Sequence, residues 1–192
     1  MPTRAEAVAL LYDDTQLSPT SILGAFALLD ASRLPLTMGN LIGAAFAAYK
    51  VYDTRAFDSI AWFRENMVPG IQATALKADE LVVLGAAGWS VPARTRMDCV
   101  DALAAQLGVG ELDYQRAAVT ALLVDECAAM TDELYARAVL CAAVQLCAPD
   151  DRAWMRGLPS DDVPRELIMR WGLRIAGALR PASPRGTKRR RI

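Results

Sequence analysis

Charge is the chemistry open to this chain. Between Trp62 and Leu103, Arg64 is followed by Arg94, Arg96, Asp98 and Asp101. An arginine on one helix and aspartates on another, joined by a compact turn, could form a buried ion pair. Such a pair fixes how two helices pack more than it adds net stability. Arg94 and Arg96 would then be free to face something anionic. The sequence contains no histidine, which removes Ser-His and Cys-His nucleophilic chemistry. Before the C-terminal segment the lysines are Lys50 and Lys77. An enzyme is therefore not expected, and no catalytic residue, cofactor or small-molecule substrate is assigned.

The four cysteines (Cys99, Cys127, Cys141, Cys147) never form a CxxC pair, and three lie in alanine- and leucine-rich stretches. They read as reduced, buried thiols acting as small apolar residues, so no metal is expected. Asp150-Asp151 and Asp161-Asp162 could bind a cation, but capping and surface charge explain them better.

The elements that position these residues read as helices. The apolar fraction is 54% and the aromatic fraction only 7%, because alanine fills the apolar class. Period-2 runs of β-branched residues are scarce, so the expected class is all-α. The expected organisation is a short N-terminal arm or helix over 1–17, a single helical-bundle core over 18–179, and a basic tail over 180–192. Thr3 and Glu6 suggest a capping box for a helix through Leu11, broken at Asp13-Asp14-Thr15. Ser18-Pro19 opens a second helix, with Ser18 as the N-cap and proline at the first helical position. Arg33-Leu34-Pro35 closes it. Thr37 caps a third helix, apolar on most faces and so central to the core. After Asp53-Thr54, Phe57, Ile60, Ala61 and Phe63 mark the helix bearing Arg64, stopped at Pro69-Gly70. The next helix runs from about Thr74 to Leu84 and ends at Gly85 and Gly88. Pro92 then suits the first turn of a helix carrying Arg94, Arg96, Asp98 and Asp101. Gly108 and Gly110 frame a turn before a helix from Leu112 to Met130. Thr131-Asp132-Glu133 caps another that runs to about Cys147. Pro149 and Pro159 bound a connector holding Trp154, and a last helix runs from Pro164 to Leu179.

The longest apolar run, Asn40 to Tyr49, is too short to span a bilayer, which needs about 20 apolar residues. MPTRAEAVALLYDD lacks the features of a signal peptide, so a soluble cytosolic protein is expected. No repeat, GxGxxG, P-loop or HExxH is present.

Net charge is −1, but it is unevenly distributed. Arg180, Arg185, Lys188, Arg189, Arg190 and Arg191 place six of the 21 basic residues in the last thirteen positions. An acidic body with a basic tail (RPASPRGTKRRRI) is the asymmetry expected of a nucleic-acid arm. A nuclear-import signal and a merely solubilising tail remain open on KRRR alone.

The Trp62–Leu103 stretch also carries a family resemblance. FRENM around Arg64 is similar to the FRQIM of potyvirus-like coat proteins. Arg64, then Gly88-Trp89, then ARTRMDCVDAL follow the order of the arginine helix, the glycine-aromatic step and the KFAAFDFFDGV-like segment of potexvirus-like coats. Asp101-Ala-Leu followed by Gln115-Arg116-Ala-Ala resembles the aspartate-to-alanine-rich-helix region. Upstream, Leu34-Pro35 and Tyr52-Asp53 resemble a helix ending in an aromatic-aspartate pair. The similarity covers roughly residues 30 to 125, to coat proteins of flexible filamentous plant viruses or to related helical viral nucleoproteins. It departs in a short Asp53–Arg64 loop, in RMDCV where AAFDFF is usual, and in a short N-terminal arm.

The resemblance implies a capsid protein of a virion or host cytoplasm, polymerising as a helical filament on single-stranded RNA. RNA phosphates would lie in a groove between helices, held without sequence reading. Arg64, oriented by Asp98 or Asp101, would offer its remaining donors to a phosphate. Arg94 and Arg96 would line the same groove, with Arg185, Lys188, Arg189, Arg190 and Arg191 running beside the RNA. Leu10, Leu11 and Tyr12 would dock on the next subunit, an open contact that builds a helix. The plainer reading makes Arg64 a structural salt bridge, and Arg94 and Arg96 a solvated face.

Two other classes stay open. One is a viral apoptosis regulator, a helical protein whose groove takes a partner helix; Glu80-Leu81 with Gly88-Trp89 is faintly similar to a BH1 region. The other is a nuclear adaptor that uses the tail for import.

Overall fold

The computed structural model describes residues 1–13, 16–53, 59–109, 114–147 and 156–179. The basic tail, Asp14-Thr15, Thr54, Phe57, Gly110, Leu112, Pro149 to Asp151 and Trp154 lie outside the described residues. Within them the chain is all-helical, with nine α-helices, one 3-10 helix and no strand.

Local capping explains where most helices begin. In α1 (Arg4–Asp13), Thr3 N–H donates to Glu6 Oε2 at 2.8 Å and Glu6 N–H to Thr3 Oγ1 at 3.2 Å, the expected capping box. Ser18 caps α2 (Pro19–Ser32), accepting from Ser21 N–H, and Thr37 caps α3 (Met38–Tyr52), accepting from Asn40 N–H. Arg33 closes α2 in the left-handed conformation, φ 54°. Ser18 N–H also donates to Asp53 Oδ2, tying the start of α2 to the end of α3.

Two clusters of buried residues make the core. The first gathers α1, α2 and α3 with Phe63 of α4 (Ser59–Asn66) and Leu76 and Val83 of α5 (Ala73–Ala86). The second gathers α6 (Arg96–Leu107), α7 (Tyr114–Ala121), the 3-10 turn Asp125–Ala129, α8 (Asp132–Cys147) and α9 (Arg165–Leu179). Leu23 of α2 reaches into the second cluster and Val119 of α7 into the first, so these helices stitch the halves together.

As its composition predicts, α3 is central, with Leu41 through Tyr49 all buried. Small residues let α3 and α5 touch closely: a Cβ on Gly43 would lie 2.4 Å from Asp79 O. On its other side, Tyr49 stacks on Trp62 with ring centroids 4.7 Å apart, and Phe46 meets Phe63 at 4.9 Å.

Three expectations are corrected. The 1–17 segment is not a free arm: Ala7, Val8 and Leu11 are buried, Leu10 and Tyr12 pack against the same cluster, and α1 lies on α2 and α7. Leu11 is consumed inside its own fold, because an amphipathic helix buries its apolar side on the nearest available surface. As expected, α5 ends between Gly85 and Gly88: it runs to Ala86 and stops where Gly88 (φ 67°) and Trp89 (φ 60°) turn left-handed and Trp89 N–H donates to Leu84 O. Pro92 does not open a helix. The Thr95/Asp98 capping box starts α6 at Arg96, leaving Arg94 outside it, and the Pro92 carbonyl instead accepts from the Tyr52 hydroxyl. The helix expected over 112–130 is interrupted after Ala121 and followed by a 3-10 turn over Asp125–Ala129, and the carbonyls of Cys127, Ala128 and Met130 at its end are held by Arg96.

Candidate functional site

An open cleft of about 520 Å³ lies at the junction of the two clusters. Leu23, Phe26 and Ala27 of α2 form one wall, while Ala121, Leu122, Val124 and Cys127 form another. Cys99 and Tyr135 also line it, with Arg4, Arg94 and Arg96 balanced in part by Asp30 and Asp132. The charged lining therefore carries a net +1.

Arg96, from the first turn of α6, is a structural clamp. Its Nε donates to Asp132 Oδ1 at 3.1 Å, one terminal nitrogen to Cys127 O at 2.6 Å, and the other to Met130 O at 2.6 Å and Ala128 O at 3.2 Å. Its guanidinium carbon sits 4.9 Å from the Tyr135 ring centroid. The Tyr135 hydroxyl donates to Ala118 O at 2.6 Å, and burial pushes its pKa far above the ordinary tyrosine value. Arg96 is thus not free to face an outside anion.

Arg4 is likewise committed. Its terminal nitrogens pair with Asp30 at 3.0 and 3.1 Å, its Nε donates to Leu122 O at 3.2 Å, and it lies over Phe26. Arg94 differs: it is exposed at the mouth of the cleft and makes no hydrogen bond or ion pair among the described residues.

Arg64 is placed elsewhere. It is half-buried near the end of α4, where its Nε donates to Ile71 O at 2.6 Å and so braces the Pro69-Gly70 turn. Among the described residues it pairs with neither Asp98 nor Asp101. Asp98 is engaged by Thr95, accepting from its N–H at 2.5 Å and its hydroxyl at 3.2 Å. Asp101 accepts from the Tyr114 hydroxyl; partial burial, helped by the charge of Asp98, lifts its carboxyl above the ordinary value against that hydrogen bond. The expected Arg64–aspartate pair is therefore absent, because each aspartate has a partner closer along the chain. Arg185, Lys188, Arg189, Arg190 and Arg191 lie outside the described residues.

Cys99 is half-buried at the cleft, and burial raises its thiol pKa, with Asp132 and Asp98 adding to the rise. Cys127 and Cys141 are buried and in no disulfide, and burial pushes Cys141 up to about 11. Among the described residues no group of three or more His, Cys, Asp or Glu side chains could hold a metal ion. No helix of the described residues is long and apolar enough to cross a membrane.

Sequence reasoning missed Arg4, Asp30, Asp132 and Tyr135 as parts of the cleft. Asp30 carried a signal, as the one charged residue of α2 (PTSILGAFALLDAS). Comparison with family models, with curated proteins and with solved structures finds no match.

Proposed function

We propose that this chain is a non-enzymatic, helical coat or nucleocapsid subunit that binds single-stranded RNA through its phosphates and assembles with copies of itself, in a virion and the host cytoplasm. The observation that carries the reading is Arg94, an exposed guanidinium with no partner among the described residues, at the mouth of a cleft whose lining is net positive. Arg4 and Arg96, each locked to an aspartate and to carbonyl oxygens, hold the walls and contribute field rather than free donors. A phosphate is the anion that five guanidinium N–H groups suit without reading a base. Asp98 and Asp101 are left with structural roles, as is Arg64. The tail residues Arg185 and Lys188 to Arg191 supply further phosphate contacts.

The test is binding of a fluorescein-labelled 20-nucleotide oligo(U) by anisotropy across a salt series. Arg94→Gln should weaken binding and reduce the slope of log K against log salt by about 0.7, one phosphate on a single strand. Its unfolding midpoint should stay at the wild-type value, since Arg94 has no hydrogen-bond or ion-pair partner among the described residues. An Arg94→Gln protein with wild-type affinity and slope would remove the cleft from the RNA path.

A second reading, a helical interaction protein that takes a partner helix, draws on α5. Leu81 and Val82 (each 53% exposed) and Trp89 (66%) form an apolar exposed side. In that case the purified protein binds no oligo(U), and Leu81→Glu abolishes its association with the partner.

A further inference from the structure

The cleft at the junction of the two clusters presents an apolar surface as well as a cation. Its α2 wall is Leu23, Phe26 and Ala27, which recur at three- and four-residue spacing on one side of the helix. Leu122 and Val124, from the turn that follows α7, supply a second wall. Leu23 and Phe26 are buried and Ala27 is half-exposed, so apolar surface runs from the core out toward solvent. A phosphate held on Arg94 would leave this surface unused.

The polar groups of the lining narrow the class of ligand. The Tyr135 hydroxyl is spent on Ala118 O, and the Thr95 hydroxyl is engaged with Asp98 and with Met97 N–H. Asp30 is paired with Arg4, and Asp132 with Arg96. Among the described residues the lining holds no asparagine, glutamine or serine. Of its three arginines, Arg94 alone has no hydrogen-bond or ion-pair partner among the described residues. A ligand therefore meets apolar walls and one uncommitted guanidinium. Apart from the weakly polar Cys99 thiol, no neutral side chain is left to match a sugar hydroxyl or a base edge. The volume, about 520 Å³, falls within the roughly 300–1,000 Å³ of small-molecule sites.

We propose that this cleft binds a small amphipathic anion, an aliphatic carboxylate of medium chain length, with its head on Arg94 and its chain along Leu23, Phe26 and Leu122. Charge complementarity selects the head, because a carboxylate fits the fork of a guanidinium and the charged lining is net positive. The scarcity of neutral partners selects the body, because a buried polar group without a hydrogen bond is costly and a hydrocarbon has none to satisfy. The inference goes beyond the RNA reading and does not rest on it. It adds a ligand that competes with a phosphate for Arg94.

The test is calorimetric titration of the full-length protein with sodium decanoate below its micelle concentration, with decanol as the uncharged control. Decanoate should bind at one site, and octanoate, two methylenes shorter, roughly tenfold more weakly. Arg94→Gln should weaken decanoate roughly tenfold and leave decanol unchanged, because only the charge-assisted contact is lost. Ala27→Leu keeps a good helix former on α2 but fills the cleft. It should weaken both ligands while its helical circular dichroism matches wild type. Cys99, half-buried in the lining, reports position: decanoate should slow its alkylation by N-ethylmaleimide, read at that residue by mass spectrometry. Equal affinity for decanoate and decanol in wild type, or wild-type decanoate affinity in Arg94→Gln, overturns the anion site. Decanoate binding that leaves Cys99 alkylation unchanged puts the carboxylate elsewhere and overturns the assignment. A protein that binds decanoate but not oligo(U) keeps this site and loses the RNA reading. One that binds oligo(U) but shows neither decanoate binding nor Cys99 protection does the reverse.

Discussion

Two arginines two positions apart show how little a residue type says about its task. Arg96 and Arg94 read alike in the sequence, as cations flanking Thr95. Arg96 is consumed by Asp132 and three carbonyls of the Cys127–Met130 turn, whereas Arg94 has no partner among the described residues. The reason is Thr95, whose capping box with Asp98 starts the helix between them and sends the two side chains into different environments. That cap could be read in the sequence as T-x-x-D, but Pro92 offered a rival start, and only packing decides between them. The Arg64–aspartate pair failed for a related reason: local partners, Ile71 O for Arg64 and Thr95 for Asp98, are reached with less chain entropy than a distant ion pair. Arg96→Ala should cost about 2–4 kcal/mol in chemical denaturation, since it leaves one carboxylate and several carbonyls without their donor. Arg96→Lys should recover little of that loss, because an ammonium cannot reproduce a planar fork serving four acceptors. A lysine variant as stable as wild type would contradict the clamp.

Helix positions were largely legible because caps are local chemistry. Thr3 with Glu6, Ser18 with Pro19, and Thr37 each act where the sequence places them. Breaks were less legible: the 3-10 turn that follows Ala121 has its closing carbonyls held by Arg96, a partner distant in the sequence. Contact between helices is set by small residues that composition alone cannot rank. Gly43→Ala should destabilise by about 2–3 kcal/mol, since its Cβ would meet backbone atoms of Asp79 and Glu80 that cannot yield cheaply. Gly177→Ala meets nothing within 4 Å and should instead stabilise by about 0.5–1 kcal/mol. Thermal unfolding of the pair checks both signs. The connector before α9 is tied to α8 through Glu133, which accepts from Ser160 at 2.9 Å and from Arg137 at 2.7 and 3.0 Å. The Ser160 and Arg137 hydrogen bonds hold its carboxyl below the ordinary value. Its contribution is therefore present above the unfolded carboxylate pKa and is lost as pH falls through the lowered folded value. Glu133→Gln should be less stable than wild type at pH 7, and the two should converge in acid; a gap that persists at low pH would assign the loss to packing.

At the scale of the whole molecule, the all-α class followed from alanine content and punctuation, and the structure bears it out. The two-cluster core and the cleft at its junction did not follow, because they depend on which helices α2 and α7 bridge. Packing of α1 onto α2 and α7 also buries Leu11, so the proposed self-assembly would not use it. Leu81 and Val82 of α5, and Trp89 beyond its end, are exposed and would be open to the proposed self-assembly. The sequence divides into an acidic body and a basic end, an asymmetry that favours a polyanionic partner. The most direct test of an RNA-coating subunit is the ratio of absorbance at 260 and 280 nm of the protein purified from cells, read together with negative-stain microscopy. A nucleic-acid spectrum accompanied by rods or rings is the expected result. A clean protein spectrum with a small monodisperse particle would contradict it.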